Sequence, residues 1–291
     1  MDERLILETI SENYPKDLLK KEFSDCPDTD LNLLGIITVI GENIYFTDKF
    51  NNIRKMLWNK NTRPNFLCSG LVMHIIGEKQ MVYGKPTNII VKDYKFPPPT
   101  MTKINTVTTP IAICHTFNSI DRIRHIVKEV ETRDIFIMGV NAEEKFAEMV
   151  DTMKSVSNKM FHIMPGDRDF VSTKLPLAFG FKNFKNIHMK EIPHQHERIL
   201  FLNRKLHLEK MIQNSNLKMS VIEMMKLILD SKQIFPSNRV DRKRELTHNS
   251  VYLICDGDEL VIETYKNSRL IILPPEKILI VDQKTHDIIN L

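Results

Sequence analysis

Residues 161–170 read FHIMPGDRDF: an apolar, strand-like run closes on Pro165-Gly166, and Asp167, Arg168 and Asp169 follow at once. Two carboxylates around a guanidinium, just past a strand end, are residue types that can hold a cation and a phosphate. The same groups can instead close a turn, because a permanently charged guanidinium pairs with flanking carboxylates. Four further apolar runs end on reactive groups: His115-Thr116, Gly139-Val140-Asn141, Leu202-Asn203 and Cys255-Asp256-Gly257-Asp258. The carboxyl ends of strands are where loops converge and catalytic groups collect in α/β sheets. Taken alone, His115 reads as a histidine at the edge of a core.

Other residues with chemical potential have plainer readings. His194 and His196 have the H-x-H spacing of a metal pair, but Pro193 and the lack of further ligands nearby favour a solvated turn. Arg239, Arg242, Lys243 and Arg244 form a basic run broken by Asp241 and Glu245, with no interleaved aromatics for base stacking. It reads as a solvated loop.

The elements that must position these groups follow from pattern. Residues 2–22 place Leu5, Ile6, Ile10, Leu18 and Leu19 at roughly helical spacing, and Pro15 divides them, so residues 1–30 are expected to be a helical arm. From residue 31 the texture changes to short β-rich runs, LLGIITVI, NIYFTD, LCSGLVMHIIG, QMVYG and NIIVKDYKF, punctuated by Gly, Asn and Asp. This spacing predicts an OB-type barrel over residues 31–97. Tyr83, Tyr94 and Phe96 are its candidates for stacking on bases, although a small barrel also needs aromatics for its core. Pro97-Pro98-Pro99 ends any ladder, since proline has no amide to donate.

Residues 101–291 then alternate strand and helix: strand 111–117, helix 119–131, strand 134–140, helix 143–157, strand 160–166. That alternation predicts βαβ units and a layered sheet. Later strands are expected at NIHMKEI, RILFLN, SVYLICD, ELVIETY, RLIILP and KILIVD, with a helix at KMSVIEMMKLILDSK. The Met-rich face of that helix suits either a partner groove or packing within the domain. The fold class expected is α/β with an all-β subdomain.

Composition narrows the function. Hydrophobic residues at 42% and charged residues at 27% describe chains that bury a core. Lys+Arg 41 against Asp+Glu 37 leaves +4, too even for a dedicated nucleic-acid binder, so contact with DNA is expected to be indirect. Cys26, Cys68, Cys114 and Cys255 contain no CxxC pair, and reduced thiols are expected. The start MDERLILETI carries acids where a leader has a basic region, and no apolar run is long enough to span a bilayer. Neither secretion nor membrane insertion is expected.

The strand ends resemble those of the calcineurin-like metallophosphoesterases, in which D-x-H, G-D-x-x-D, G-N-H-[DE], a lone His and G-H-x-H hold two metal ions. In this chain Ile113 stands at the first Asp position, leaving His115; Gly139 is kept, and Val140 replaces the bridging Asp. Gly166 is kept, Asp167 stands for the liganding Asn and Arg168 for the His, with Asp169 behind them. Asn203 ends the fourth strand where His is expected, and Asp256 lies in a fifth segment that has no imidazole. The resemblance therefore implies a vestigial site, with no cofactor and no catalysis.

A barrel ahead of such a domain resembles the small (B-type) regulatory subunits of eukaryotic replicative DNA polymerases. HIMPGDRDFVSTKLP is similar to that family's strand, Pro-Gly-acid-x-Asp turn and trailing Leu-Pro, and IIGEKQMVYGKPTNIIVKDYKFPPP is similar to the delta subunit's barrel segment. FPSNRVDRKRELTHNSVYLICDGDELVIETY resembles the segment carrying P-H-V-Y-F-x-G-N, with His248 one position out of register. The resemblance spans residues 33–282 and implies a nuclear scaffold that binds the polymerase catalytic subunit's C-terminal domain and a further accessory subunit. The alternatives are the alpha or epsilon small subunit, a metal-dependent phosphodiesterase or 3′–5′ exonuclease, and a single-strand-binding barrel protein.

Overall fold

The apolar, β-branched run Leu31–Ile40 forms β1, and the turn at Gly41-Glu42 returns it as β2, Asn43–Asp48. The chain is described as a computed structural model over residues 17–18, 21–59, 61–96, 109–115, 120–139, 146–166, 183–234, 252–282 and 286–290. β3 is Ile53–Trp58, β4 is Val72–Val82 and β5 is Lys85–Lys95. These strands close into a barrel in the order β1-β2-β3-β5-β4, with β3 and β5 parallel and the other pairs antiparallel. Tyr83 and Gly84 join β4 to β5 with φ of 51° and 74°, the two left-handed residues that match a hairpin's twist.

One expectation for the barrel needs correcting. LCSGLVMHIIG and QMVYG were expected as separate strands, yet β4 runs through Gly77, where the ladder with β5 shifts register. A Cβ at Gly77 would strike the Ile90 carbonyl, so this glycine admits a close backbone approach and does not mark a turn. The expected helical arm rests mainly on residues outside the described ones, and residues 21–30 form turns and bends. Phe23 is buried there: its N–H donates to the Asp48 carboxylate at 3.1 Å, and Arg54 and Lys79 lie over its ring. Asp48, buried at the end of β2, also accepts from the N–H groups of Phe50 and Asn52 at 2.9 Å each, which shapes the turn into β3.

The second unit is built on parallel strands β6 (Ile111–His115), β7 (Asp134–Met138), β8 (Met160–Met164) and β9 (Ile187–Met189), with helices α1 (Ile120–Glu129) and α2 (Phe146–Ser155) in the crossovers. A second sheet holds β10 (His194–His196), β11 (Ile199–Leu202), β12 (Tyr252–Asp256), β13 (Val261–Tyr265) and β14 (Ser268–Leu273), in the order β10-β11-β12-β14-β13. β15 (Lys277–Val281) and β16 (His286–Asn290) complete the first sheet, in the order β16-β15-β6-β7-β8-β9.

Alternation along β6, β7 and β8 decides the layers. Ala112, Cys114, Ile135, Ile137, Phe161 and Ile163 pack with Ile123 and Ile126 of α1 and Met149 and Met153 of α2. The opposite face, including Ile113, Phe136 and Met164, packs with Ile199, Phe201, Ile254 and Ile271 of the second sheet. The layers are therefore helices, sheet, sheet.

The domain boundary also differs from the expected one. Residues 101–291 were expected to form one domain, but the described residues 210–234 group with the barrel. The chain leaves β11 through a π-helical turn, Arg204–Leu208, then α3 (Glu209–Gln213) and α4 (Val221–Ser231). Side-chain amides hold the returning segment. Asn216 Oδ1 accepts from Leu67 N–H at 2.6 Å, and Gln233 both accepts from Val72 N–H at 2.8 Å and donates to its carbonyl at 3.0 Å. α4 buries Met224, Met225, Leu227 and Ile228, so its Met-rich face is used in packing. Among the described residues no helix is long and apolar enough to cross a membrane.

Candidate functional site

Parallel β6, β7, β8, β11 and β12 end where chain reversal begins, and the described residues of the expected site sit at those ends. His115 closes β6, Gly139 follows β7, Gly166 follows β8, Asn203 follows β11 and Asp256 closes β12. Gly139 has φ of 80° and donates its N–H to the Met164 carbonyl at 2.9 Å, which ties the ends of β7 and β8 together. Asp167, Arg168 and Asp169, with Val140 and Asn141, lie outside the described residues.

His115 and Asp256 meet across the two sheets. His115 Nε2 is 3.8 Å from Asp256 Oδ2, beyond hydrogen-bond length, and both side chains are largely shielded. The other carboxylate oxygen accepts from Arg204 N–H at 2.7 Å. Arg204 donates in turn through Nε to Glu209 at 3.1 Å and through Nη1 to Asp258 at 2.8 Å. Asn203 is buried and caps the π-helical turn: its Oδ1 accepts from Leu206 N–H at 2.6 Å, and its carbonyl accepts from Leu208 N–H at 3.0 Å. Two of the expected site residues thus organise the chain that follows β11. Ile113, two residues before His115, is fully buried among the side chains between the sheets.

Among the described residues no group of three or more His, Cys, Asp or Glu is arranged to hold a metal ion. The geometry makes Asp256 a structural acceptor. Asp256→Ala is expected to cost about 1–3 kcal/mol, because the Arg204 N–H loses its charged acceptor, and Asp256→Asn, which keeps an oxygen there, should cost less. Urea unfolding of the two variants checks this. Equal stability of Asp256→Ala and the parent would remove the structural role.

The H-x-H pair is corrected. His194 and His196 were expected in a solvated turn, but they form β10 and pair with Phe201 and Ile199. Two histidines that sequence reasoning did not single out, His162 and His188, join them. The available signal was alternation: in MFHIM and NIHMK the histidine takes the position opposite the buried Phe161, Ile163 and Ile187. His162 Nε2 lies 2.9 Å from Asp134 Oδ1, and its ring stacks on Phe136 at 4.3 Å. Burial pushes His162 down to about 4 and His194 down to about 3.

The barrel aromatics separate. Tyr83 is 98% exposed at the hairpin tip. Tyr94 instead packs edge-on between Trp58 and Phe96, at 5.8 Å and 5.6 Å, and burial raises its hydroxyl pKa. The basic run 239–244 lies outside the described residues.

No family model matches the chain, and no curated protein matches it. Among solved structures the chain is similar to the protein TT1561 of Thermus thermophilus, at 7% identity and a TM-score of 0.33, over 64% of this chain and 99% of that one. A likeness at that score carries no argument.

Proposed function

We propose that the chain is a non-catalytic scaffold, an OB-type barrel joined to a calcineurin-like phosphoesterase unit whose metal ligands have been replaced. The particular protein this reading describes is the small regulatory subunit of a eukaryotic replicative DNA polymerase, of the delta type. It joins the C-terminal domain of the catalytic subunit to a further accessory subunit in the nucleus, and meets DNA only through them.

The barrel order, β1-β2-β3-β5-β4 with parallel β3 and β5, supports the first half of the reading. The layers of helices, sheet and sheet support the second. The observation that carries it is the chemistry at the strand ends. Fully buried Ile113 occupies a carboxylate position, Asn203 caps its own chain, and Asp256 accepts a backbone amide. Hydrocarbon at the first position and an engaged amide at the fourth cannot hold a pair of cations that activates water.

Affinity purification of the tagged chain from its native cells is expected to recover a B-family polymerase catalytic subunit in stoichiometric amount. Two metal ions per chain by elemental analysis, together with manganese-dependent cleavage of single-stranded DNA, would overturn the reading in favour of a phosphodiesterase.

A further inference from the structure

Four histidines occupy facing positions at one side of the two-sheet unit. In β8 and β9 the neighbours Phe161, Ile163 and Ile187 pack toward the helices, so His162 and His188 project toward the second sheet. In β10, His194 and His196 pair with Phe201 and Ile199, which belong to the core between the sheets. The rings are in contact: His188 stacks on His162 at 5.5 Å and 19°, and His196 lies 4.8 Å from Phe136 and 6.2 Å from His162. His194 lies 6.2 Å from Phe201 and 6.5 Å from Phe136. Among the described residues these imidazoles are not arranged to hold a metal ion.

The surroundings favour neutral imidazole at His162, His194 and His196. Nδ1 of His162 and Nε2 of His194 are buried with no hydrogen-bond partner among the described residues. Charged groups face the cluster from two elements, Asp134 from β7 and Lys190 after β9, and Glu197 after β10 interacts with Asp134. Asp134 favours protonation of His162 and His196, Lys190 opposes it, and Glu197 is itself drawn toward its neutral form by burial and by Asp134. For His162, His194 and His196 burial outweighs every charge and lowers the pKa.

We propose that this seam is an acid-operated latch: at neutral pH the unprotonated imidazoles of His162, His194 and His196 hold edge strand β10 against β7 and β8, and on acidification their protonation draws water into the seam and releases that strand. Each imidazolium must be hydrated, and neighbouring rings at these separations repel once charged. In the released form these three histidines titrate near the ordinary value of about 6.5. The closed form excludes their protons, so the released form binds more protons and gains as pH falls. Each excluded proton shifts the equilibrium about tenfold per pH unit, so His162 and His194 together shift it about a hundredfold. The effect begins below about pH 6.5 and levels off as the closed form itself titrates, at about 4 for His162 and about 3 for His194.

Hydrogen exchange of the full chain, compared at about pH 7.5 and about pH 5.5 and corrected for intrinsic rates, tests the latch. Protection of residues 192–202 is expected to fall about a hundredfold while the barrel strands β1–β5 keep theirs. The variant His194→Phe with His196→Leu, still packed but unable to titrate there, should reduce that fall to about tenfold, the share left to His162. Unchanged protection of 192–202 across the two pH values overturns the proposal. If the variant does not fold, proton NMR titration of the parent's imidazoles decides: midpoints for His162 and His194 well below 6.5 support the latch, and midpoints at or above about 6.5 overturn it.

Discussion

Phe136→Ala is expected to lower the stability of the two-sheet unit by about 3–5 kcal/mol. Phe136 is fully buried in the middle of β7 and faces the second sheet. Its ring is stacked on Phe201 at 4.9 Å and 9°, and on its other contacts it meets His162 at 4.3 Å and His196 at 4.8 Å. Truncation therefore removes a partner from three rings at once and leaves a cavity between two sheets whose hydrogen-bonded strands resist collapse. Phe136→Leu, which keeps most of the volume, should cost under about 2 kcal/mol. Denaturant unfolding followed by circular dichroism measures the loss. Trp58, the chain's single tryptophan, lies in β3 of the barrel, so its fluorescence reports the other unit separately. A shift of less than about 1 kcal/mol for Phe136→Ala would mean that the inter-sheet core is not packed as described.

Gln233→Leu is expected to cost about 2–6 kcal/mol, and here the loss should register in Trp58 fluorescence. β4 starts at Val72, but its ladder with β5 begins only at His74 opposite Lys95. Val72 therefore has a free N–H and carbonyl on that side, and the Gln233 amide supplies both missing bonds, at 2.8 Å and 3.0 Å. Gln233 is 5% exposed, so water cannot replace the amide, and leucine would leave two buried backbone groups unsatisfied at about 1–3 kcal/mol each. Gln233→Glu keeps one acceptor but must bury a charge or a proton, and is expected to fall between leucine and the parent. A Gln233→Leu variant as stable as the parent would show that the Gln233 amide does not hold the returning segment.

Much of the second unit was legible in the sequence because its determinants are local. IAICH, DIFIM and MFHIM are short buried parallel strands, the helices between them have crossover length, and each strand ends on the residue where the chain must reverse. His115, Gly139, Gly166, Asn203 and Asp256 could be placed at strand ends on that basis. Their partners could not: the approach of His115 to Asp256 depends on how two sheets stack, and the Asp256 bond to Arg204 joins residues 52 apart.

In the barrel, β1, β2 and the β4–β5 hairpin follow from β-branched runs and turn residues, whereas β3, IRKMLW, was missed. Arg54 and Lys55 interrupt its pattern, and it is a strand because β2 and β5 offer ladders on both sides. The return of residues 210–234 to the barrel was equally hidden, since amide side chains 149 and 161 residues away from their backbone partners leave no periodic trace. The four histidines combine both cases. Alternation alone sets the face of the strand each one takes, but only the packing of one sheet on the other brings those faces together, excludes water and changes the chemistry of the rings.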